Sequence, residues 1–320
     1  MTAEERKKFL HFLYGIEQYL TWKYTKSSKE LREYKEIKNW FLFKDFYSFR
    51  KLIINEISQG ITPDTETKIN LILNSFVKKD IKLDVLFKYL NEKIEDYFLK
   101  DIAYLLKKAQ NINLNDFLSK GQVDSKIWLV EELKKYVELN SLSLNNIAIY
   151  GSWYGFLVPF LYENFTDLKC VRGFDIDAKS NYRAEVLLQR YLHNKWKFKT
   201  VTQDVENLMP IGASGKLIYS CINEFNQKIK ETTKFELIIN TSAEHMSDKW
   251  LSNLRKEQIV CLQTNNMHHT VGHINTFKSY EEAKEHYRNL GQILWAGKRP
   301  LMDRYERYMF FLRRRDLWNE

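Results

Sequence analysis

Four short apolar runs in the second half of this chain each lead into a residue whose type could do chemistry. Asn146-Ile-Ala-Ile-Tyr150 enters Gly151-Ser152-Trp153-Tyr154-Gly155, Cys170-Val-Arg-Gly-Phe174 ends at Asp175, Phe198 to Val201 leads to Asp204, and Phe235-Glu-Leu-Ile-Ile239 ends at Asn240. Paired glycines permit a tight turn and close approach of backbone to a ligand, with a helix N-terminus behind them. An acid about twenty residues beyond such a turn is placed to accept hydrogen bonds from ribose hydroxyls. Asp204 could accept from an exocyclic amine, and Asn240 could face the reacting end of the ligand. The glycine spacing is not Gly-x-Gly-x-x-Gly, and the missing Lys and Ser/Thr after Gly155 exclude the phosphate-binding loop. The expectation is a nucleoside ligand without a pyrophosphate.

Glu244-His245 follows the fourth run, where either side chain could remove a proton or orient a nucleophile; helix capping is the plainer role. His268, His269 and His273 lie near Cys261 and Glu244, but the spacing is no helical ligand pair and no thiolate pair accompanies it, so no metal is expected. The segment reads instead as a substrate-facing loop with His273 and Asn275 as polar contacts, and with Gln263, Asn265 and Asn266 available to a base edge or a sugar. Lys298-Arg299, Arg304, Arg307 and Arg313 to Arg315 interleave with Tyr305, Tyr308, Phe310 and Phe311. That run could bind phosphates and stack bases, or form a last antiparallel strand with solvated arginines at a sheet edge. Arg304 and Arg307 are the site candidates because they precede the strand.

The elements that must position these residues alternate between strand and helix, which means an α/β sheet, mostly parallel. Strands are expected at Asn146–Tyr150, Cys170–Phe174, Phe198–Val201, Phe235–Ile239, Ile259–Gln263, Gln292–Trp295 and Tyr308–Leu312. Helices are expected over Phe156–Phe165 and over Ala178–His193, with Ala184, Val186, Leu187, Leu188 and Tyr191 inward. Asp177 reads as an N-cap. Leu217–Ile222 fits either an extra strand or a short buried helix. A further helix is expected from an N-cap at Asp124 through Trp128, Leu129, Leu133 and Val137.

Before residue 120 the texture is different. Only Gly15 and Gly60 occur there, Phe9, Phe12, Leu13, Ile16 and Leu20 recur at helical spacing, and Thr62-Pro63-Asp64 reads as a helix start. Residues 1–120 are expected to form a helical accessory domain and 121–320 the α/β domain. With 44% hydrophobic and 15% aromatic residues, 4 Pro and 11 Gly in 320, the chain is neither disordered nor low-complexity. Three separated cysteines argue against a disulfide framework. Fifty basic against 41 acidic residues give +9, spread along the chain, which favours polyanionic partners without requiring one. No apolar run approaches the ~18–20 residues that cross a bilayer, and the charged N-terminus lacks a signal pattern, so a cytoplasmic protein is expected.

Taken in order, Ile147-Ala-Ile-Tyr-Gly-Ser-Trp-Tyr-Gly155, Val171-Arg-Gly-Phe-Asp175, Thr202-Gln-Asp204 and Leu237-Ile-Ile-Asn240 resemble the successive motifs of class I S-adenosylmethionine (SAM) dependent methyltransferases, over about residues 140–313. More narrowly, Gly-Ser-Trp-Tyr-Gly with Asn240-Thr-Ser-Ala-Glu-His-Met246 and Trp250 resembles a bacteriophage-associated methyltransferase-like group, which would place the chain in the host cytoplasm. The resemblance implies a Rossmann-like, seven-stranded, mostly parallel sheet with an N-terminal all-α domain, and SAM as cofactor. It implies that Gly151 and Gly155 meet the amino-acid portion, Asp175 the ribose and Asp204 the adenine amine; Ser152, Tyr154 and Asn240 are further cofactor-binding candidates, and Glu244 and His245 the catalytic candidates. Two departures stand out: Tyr150 replaces the leading acid of the first motif and Trp153 its middle glycine. Asp-Pro-Pro-Tyr and Pro-Cys target motifs are absent, leaving hydroxyl, carboxyl or other nitrogen acceptors, nucleic acid being the favoured partner. The alternative is a non-catalytic binding or structural protein, such as a phage particle component, that keeps this fold.

Overall fold

The computed structural model describes residues 117–194, 196–208, 210–211, 215–223, 225–301 and 305–314, together with 15, 18–19, 22–23, 101–102 and 104–105. The chain divides into two compact units, Met1–Trp128 and Leu129–Glu320. In the first, the described residues between 15 and 105 are helical, and Tyr19, Trp22, Ile102 and Leu105 are buried. Most of the expected helical domain, including Thr62-Pro63-Asp64, lies outside the described residues.

Helix α1 (Lys120–Leu139) begins before the expected Asp124 cap. Ser119 Oγ accepts from Gln122 N at 3.3 Å, so the hydroxyl at 119 caps the helix and Asp124 lies inside it. The second unit then alternates strand and helix: β1 (Asn146–Tyr150), α2 (Leu157–Asn164), β2 (Cys170–Asp175), α3 (Ala178–Leu187), α4 (Gln189–His193) and β3 (Phe198–Thr202). The single helix expected over Ala178–His193 is two, because Leu188 leaves helical geometry (φ −105°, ψ 24°) where its side chain packs against Gly155. Asp177 caps α3 as expected, accepting from Lys179 N and Ser180 Oγ. Val186 and Tyr191, expected inward, are only half-buried.

Leu217–Ile222, open between strand and helix in sequence, lies in a strand. β4 (Pro210–Ile211), β5 (Lys216–Ile222) and β6 (Lys228–Thr233) form a separate antiparallel sheet. It is fastened to β2 by Arg172, whose Nε donates to Glu231 Oε2 at 3.0 Å, while Tyr219 packs its ring on Phe174 at 5.3 Å. The main sheet resumes with β7 (Leu237–Asn240), then α5 (Lys249–Ser252), β8 (Ile259–Asn265), α6 (Tyr280–Arg288), β9 (Gly291–Leu301) and β10 (Tyr305–Arg314). Its order is β3-β2-β1-β7-β8-β10-β9, with β10 antiparallel to both neighbours and the other recorded pairings parallel. This is a Rossmann-like, mostly parallel seven-stranded sheet. β9 forms the edge, so β10 with its arginines is internal, contrary to the edge expectation.

Side-chain alternation divides the core between the two faces of the sheet. Ala148, Tyr150, Phe174, Ile238, Leu262 and Phe310 join one cluster with Trp250 and Tyr287. Burying each large apolar side chain of this kind contributes about 1.5–3 kcal/mol. Ile147, Ile149 and Ile239 belong to the other face, as does Phe311, on which Tyr136 of α1 packs at 5.1 Å. Among the described residues no helix is long and apolar enough to cross a membrane.

Candidate functional site

Strand order reverses between β1 and β7, since the chain steps from β1 outward to β2 and β3 and then returns to β7 on the opposite side. Crevices at such reversals, beyond the carboxyl ends of the strands, are where open α/β sheets take ligands. Here the crevice has two sides. On the β1 side Gly151 (φ +62°) and Gly155 (φ +68°) hold left-handed conformations, and a Cβ on either would come within 2.7 Å of Ser242 Cβ or Leu188 Cδ1. The turn is braced from β2, with Asp175 Oδ2 accepting from Trp153 N at 2.8 Å and Oδ1 from Asp177 N at 3.0 Å. Ser152 directs its buried hydroxyl toward Gly173, and Tyr154 is buried with its OH accepting from Arg183 at 3.2 Å. Asp204 is exposed and caps the short turn Val205–Asn207, accepting from Glu206 N at 2.9 Å and Asn207 Nδ2 at 2.7 Å. Tyr150 is wholly buried against Phe174 and Trp250, where desolvation drives its phenol well above the ordinary range; it faces the core and not the crevice.

The β7 side is built from side chains that meet one another. Asn240 is fully buried and folds back on its own turn, accepting from Ser242 N at 3.0 Å and donating to Met246 Sδ at 3.2 Å. Ser242 Oγ then donates to Gly151 O at 3.2 Å, which joins the two sides. Glu244, only 3% exposed, accepts at Oε1 from Asn265 Nδ2 (2.9 Å) and Arg307 Nη2 (3.3 Å), while its Oε2 is buried without a hydrogen-bond partner. Arg307 sits on β10 opposite Asn265 of β8, and its Nη1 donates to Thr241 O at 3.4 Å. Desolvation presses the Arg307 guanidinium down, but the Glu244 carboxylate and Tyr305 more than offset it, so its pKa stands above the ordinary value.

His245 is exposed, and its Nδ1 lies 3.1 Å from Gly272 O. A carbonyl can only accept, so Nδ1 carries the proton and Nε2 the free lone pair. The ring stands edge-on to His273 at 4.6 Å. His273 Nδ1 is buried and unpartnered, and burial pushes the imidazole pKa down, with Glu244 pulling the other way. One ligand-type atom from each of Glu244, His245 and His273 falls within 4.8 Å of the others.

The sequence candidates are therefore distributed unevenly. Glu244, His245 and His273 converge, and Arg307 joins them from within β10; it does not precede the strand, and at 5% exposure it belongs to no phosphate-binding surface. Arg304 lies outside the described residues. Gln263 and Asn265 are fully buried in β8, not on a reading loop, because that strand runs two residues further than expected. Asn275 is occupied with Asp248 Oδ1 (2.9 Å), and its backbone N–H, like that of Ile274, donates to Glu244 O. Cys261 is mid-strand and wholly buried, its thiol raised by desolvation, and stands apart from the histidines. Sequence reasoning missed Asn265 as the brace of Glu244 and Gly272 as the partner of His245. The signal for the first was an Asn ending an apolar run; the second has none, since it rests on a backbone carbonyl. A groove of about 870 Å³ lies elsewhere, beside β3, between Asn181, Lys199, Gln203 and Cys221.

No family model matches the chain, and no curated protein sequence does. Among solved structures it is similar to magnesium protoporphyrin IX methyltransferase of Synechocystis PCC 6803 with bound SAM, at 13% identity and a TM-score of 0.41, covering 71% of this chain and 96% of that one. It is similar to a SAM-dependent methyltransferase of Clostridium acetobutylicum ATCC 824, at 11% identity and a TM-score of 0.40, covering 59% and 91%. A third is N-methyltransferase NodS of Bradyrhizobium japonicum WM9, at 13% identity and a TM-score of 0.38, covering 59% and 97%.

Proposed function

We propose that the chain is a SAM-dependent methyltransferase, with residues 121–320 as the catalytic domain and 1–120 as a helical accessory domain. The observation that carries this reading is the strand-order reversal at β1 and β7, with a braced glycine turn on one side and Glu244 with His245 on the other. The residues of the β1 side fit such a cofactor. Asp175 and Asp204 each accept one hydrogen bond per carboxylate oxygen and so keep a lone pair on each, which suits a ligand offering ribose hydroxyls and an exocyclic amine. The Gly151–Gly155 turn would meet the amino-acid portion. When bound, SAM supplies a methyl group on a sulfonium centre open to in-line attack.

The chain's own residues then align the acceptor and handle its proton. His245 Nε2, left free by the Nδ1–Gly272 contact, accepts the proton of an attacking hydroxyl or amine, and Glu244 Oε2 orients it. The net charge of +9 favours a nucleic-acid acceptor. Arg307 would take no part in binding such an acceptor, being buried and paired with Glu244. The test is calorimetric titration with SAM and with S-adenosylhomocysteine. Saturable binding is expected, weakened at least about tenfold, or ~1.4 kcal/mol, in Asp175→Ala with an unchanged circular dichroism spectrum. No binding of either ligand by folded protein overturns the reading and leaves the non-catalytic alternative.

A further inference from the structure

We propose that Glu244, His245 and His273 form a binding site for one divalent transition-metal ion of the zinc class. Three observations carry this. The potential ligand atoms come from two separate loops, after β7 and after β8, and lie within 4.8 Å of one another. Glu244 is 3% exposed yet leaves Oε2 without a partner, and His273 leaves Nδ1 buried and unpartnered. Stranding one buried polar atom costs about 1–3 kcal/mol, so two such atoms within one three-residue cluster call for an occupant. That occupant must accept lone pairs from a carboxylate and two imidazoles, which describes a cation of borderline softness and excludes the harder calcium and magnesium ions, bound through oxygen.

The surroundings have the form that metal sites need. Ligating imidazoles are oriented by a bond from the other ring nitrogen, and His245 has one to Gly272 O. Ligating carboxylates are themselves hydrogen-bonded, and Glu244 Oε1 is held by Asn265 and Arg307, which turns the other oxygen free. Tetrahedral zinc bonds of about 2.0–2.1 Å set ligand atoms about 3.3–3.4 Å apart, so the side chains close by roughly 1.5 Å at most. His245, exposed at the rim, has the freedom to do so. Two histidines and one carboxylate leave an open position, as in catalytic zinc sites, for water or an acceptor oxygen. With an ion bound, these side chains act as ligands and no longer as bases.

The inference concerns binding and stands whether or not the methyl-transfer reading does. The full chain, stripped with a chelator and dialysed, is titrated with Co²⁺ and followed by its visible ligand-field bands, then back-titrated with Zn²⁺. One equivalent is expected, with His245→Ala and His273→Ala each binding at least about 100-fold more weakly and Asn265→Ala about 10–100-fold more weakly. His269→Ala, at an exposed histidine outside the cluster, should bind as the wild type. Equal binding in the His245 and His273 variants, or no stoichiometric binding by folded wild type, overturns the proposal. Titrating SAM into the metal-free protein separates the two readings, since either ligand can bind while the other fails.

Discussion

Acids on the β1–β2–β3 side of the crevice are spent on donors beside them in sequence or one strand away, whereas polar groups on the β7–β8–β10 side bind each other and leave buried atoms over. Asp175, Asp177 and Asp204 each fix a turn by accepting neighbouring N–H groups, and all three keep contact with solvent. Glu244, Asn265 and Arg307 are each 5% exposed or less and satisfy one another only in part. The difference teaches where the buried charge sits, since the β1 side also buries unpartnered atoms, Ser152 Oγ and Asn181 Oδ1, but these are neutral. The carboxylates of the first side reach solvent and have spare lone pairs for a ligand. The second is a low-dielectric cluster in which every group depends on another, so a change there propagates.

The largest effect should come from breaking the buried pair. Glu244→Ala leaves the Arg307 guanidinium buried with Thr241 O as its recorded acceptor and should cost about 3–5 kcal/mol in urea denaturation. Adding Arg307→Met should return much of that loss, because a buried ion pair replaced by apolar groups is often neutral or better. A single-variant cost under about 1 kcal/mol would mean that water reaches the pair and that the two sides do not differ.

What sequence made legible follows the same division. Strands β1, β2, β3 and β8 are readable because their apolar runs end in Gly, Asp or a polar residue, whereas the bracing of the glycine turn by Asp175, through Trp153 N one strand away, is not. β6 escaped: Lys228-Ile-Lys-Glu-Thr-Thr233 packs only alternate residues half-buried, so its polarity resembles a loop. The helical break at Leu188 was hidden for a related reason, since it depends on Gly155, which contacts it from a distant turn. On the β7 side Glu244 and His245 were visible as types, but their meeting with Arg307 is a product of β8–β10 register, and that with His273 of the loop after β8, neither of which local periodicity encodes. Arg307 illustrates the failure most clearly. Its neighbours read as a basic stripe, and only the pairing with Asn265 turns it inward.

A second, smaller perturbation targets the place where the two sides touch. Gly151→Ala puts a Cβ at φ +62° and within 2.7 Å of Ser242 Cβ, for an expected loss of about 2–3 kcal/mol. Combining it with Ser242→Gly removes the collision, so that measured against the Ser242→Gly single variant, which has already lost the Oγ–Gly151 O bond, only the backbone part of about 1–2 kcal/mol should be left. Full retention of the loss in the double variant would show that the contact across the crevice carries no strain and that the turn's cost is entirely its own.

The smallest effect is expected at Asp204. Its carboxylate caps the Val205–Asn207 turn, so Asp204→Ala should cost about 0.5–2 kcal/mol, the usual range for losing an N-cap. The turn does reach across, because Glu206 Oε1 accepts from Ser247 N at 2.7 Å, three residues past Glu244. Asp204 and Glu244 nevertheless share no recorded hydrogen-bond partner. The double variant Asp204→Ala with Glu244→Gln should therefore equal the sum of the singles to within ~0.3–0.5 kcal/mol. A coupling above about 1 kcal/mol would make the Glu206–Ser247 bond a mechanical link, and the β1 side would then owe part of its shape to the cluster opposite.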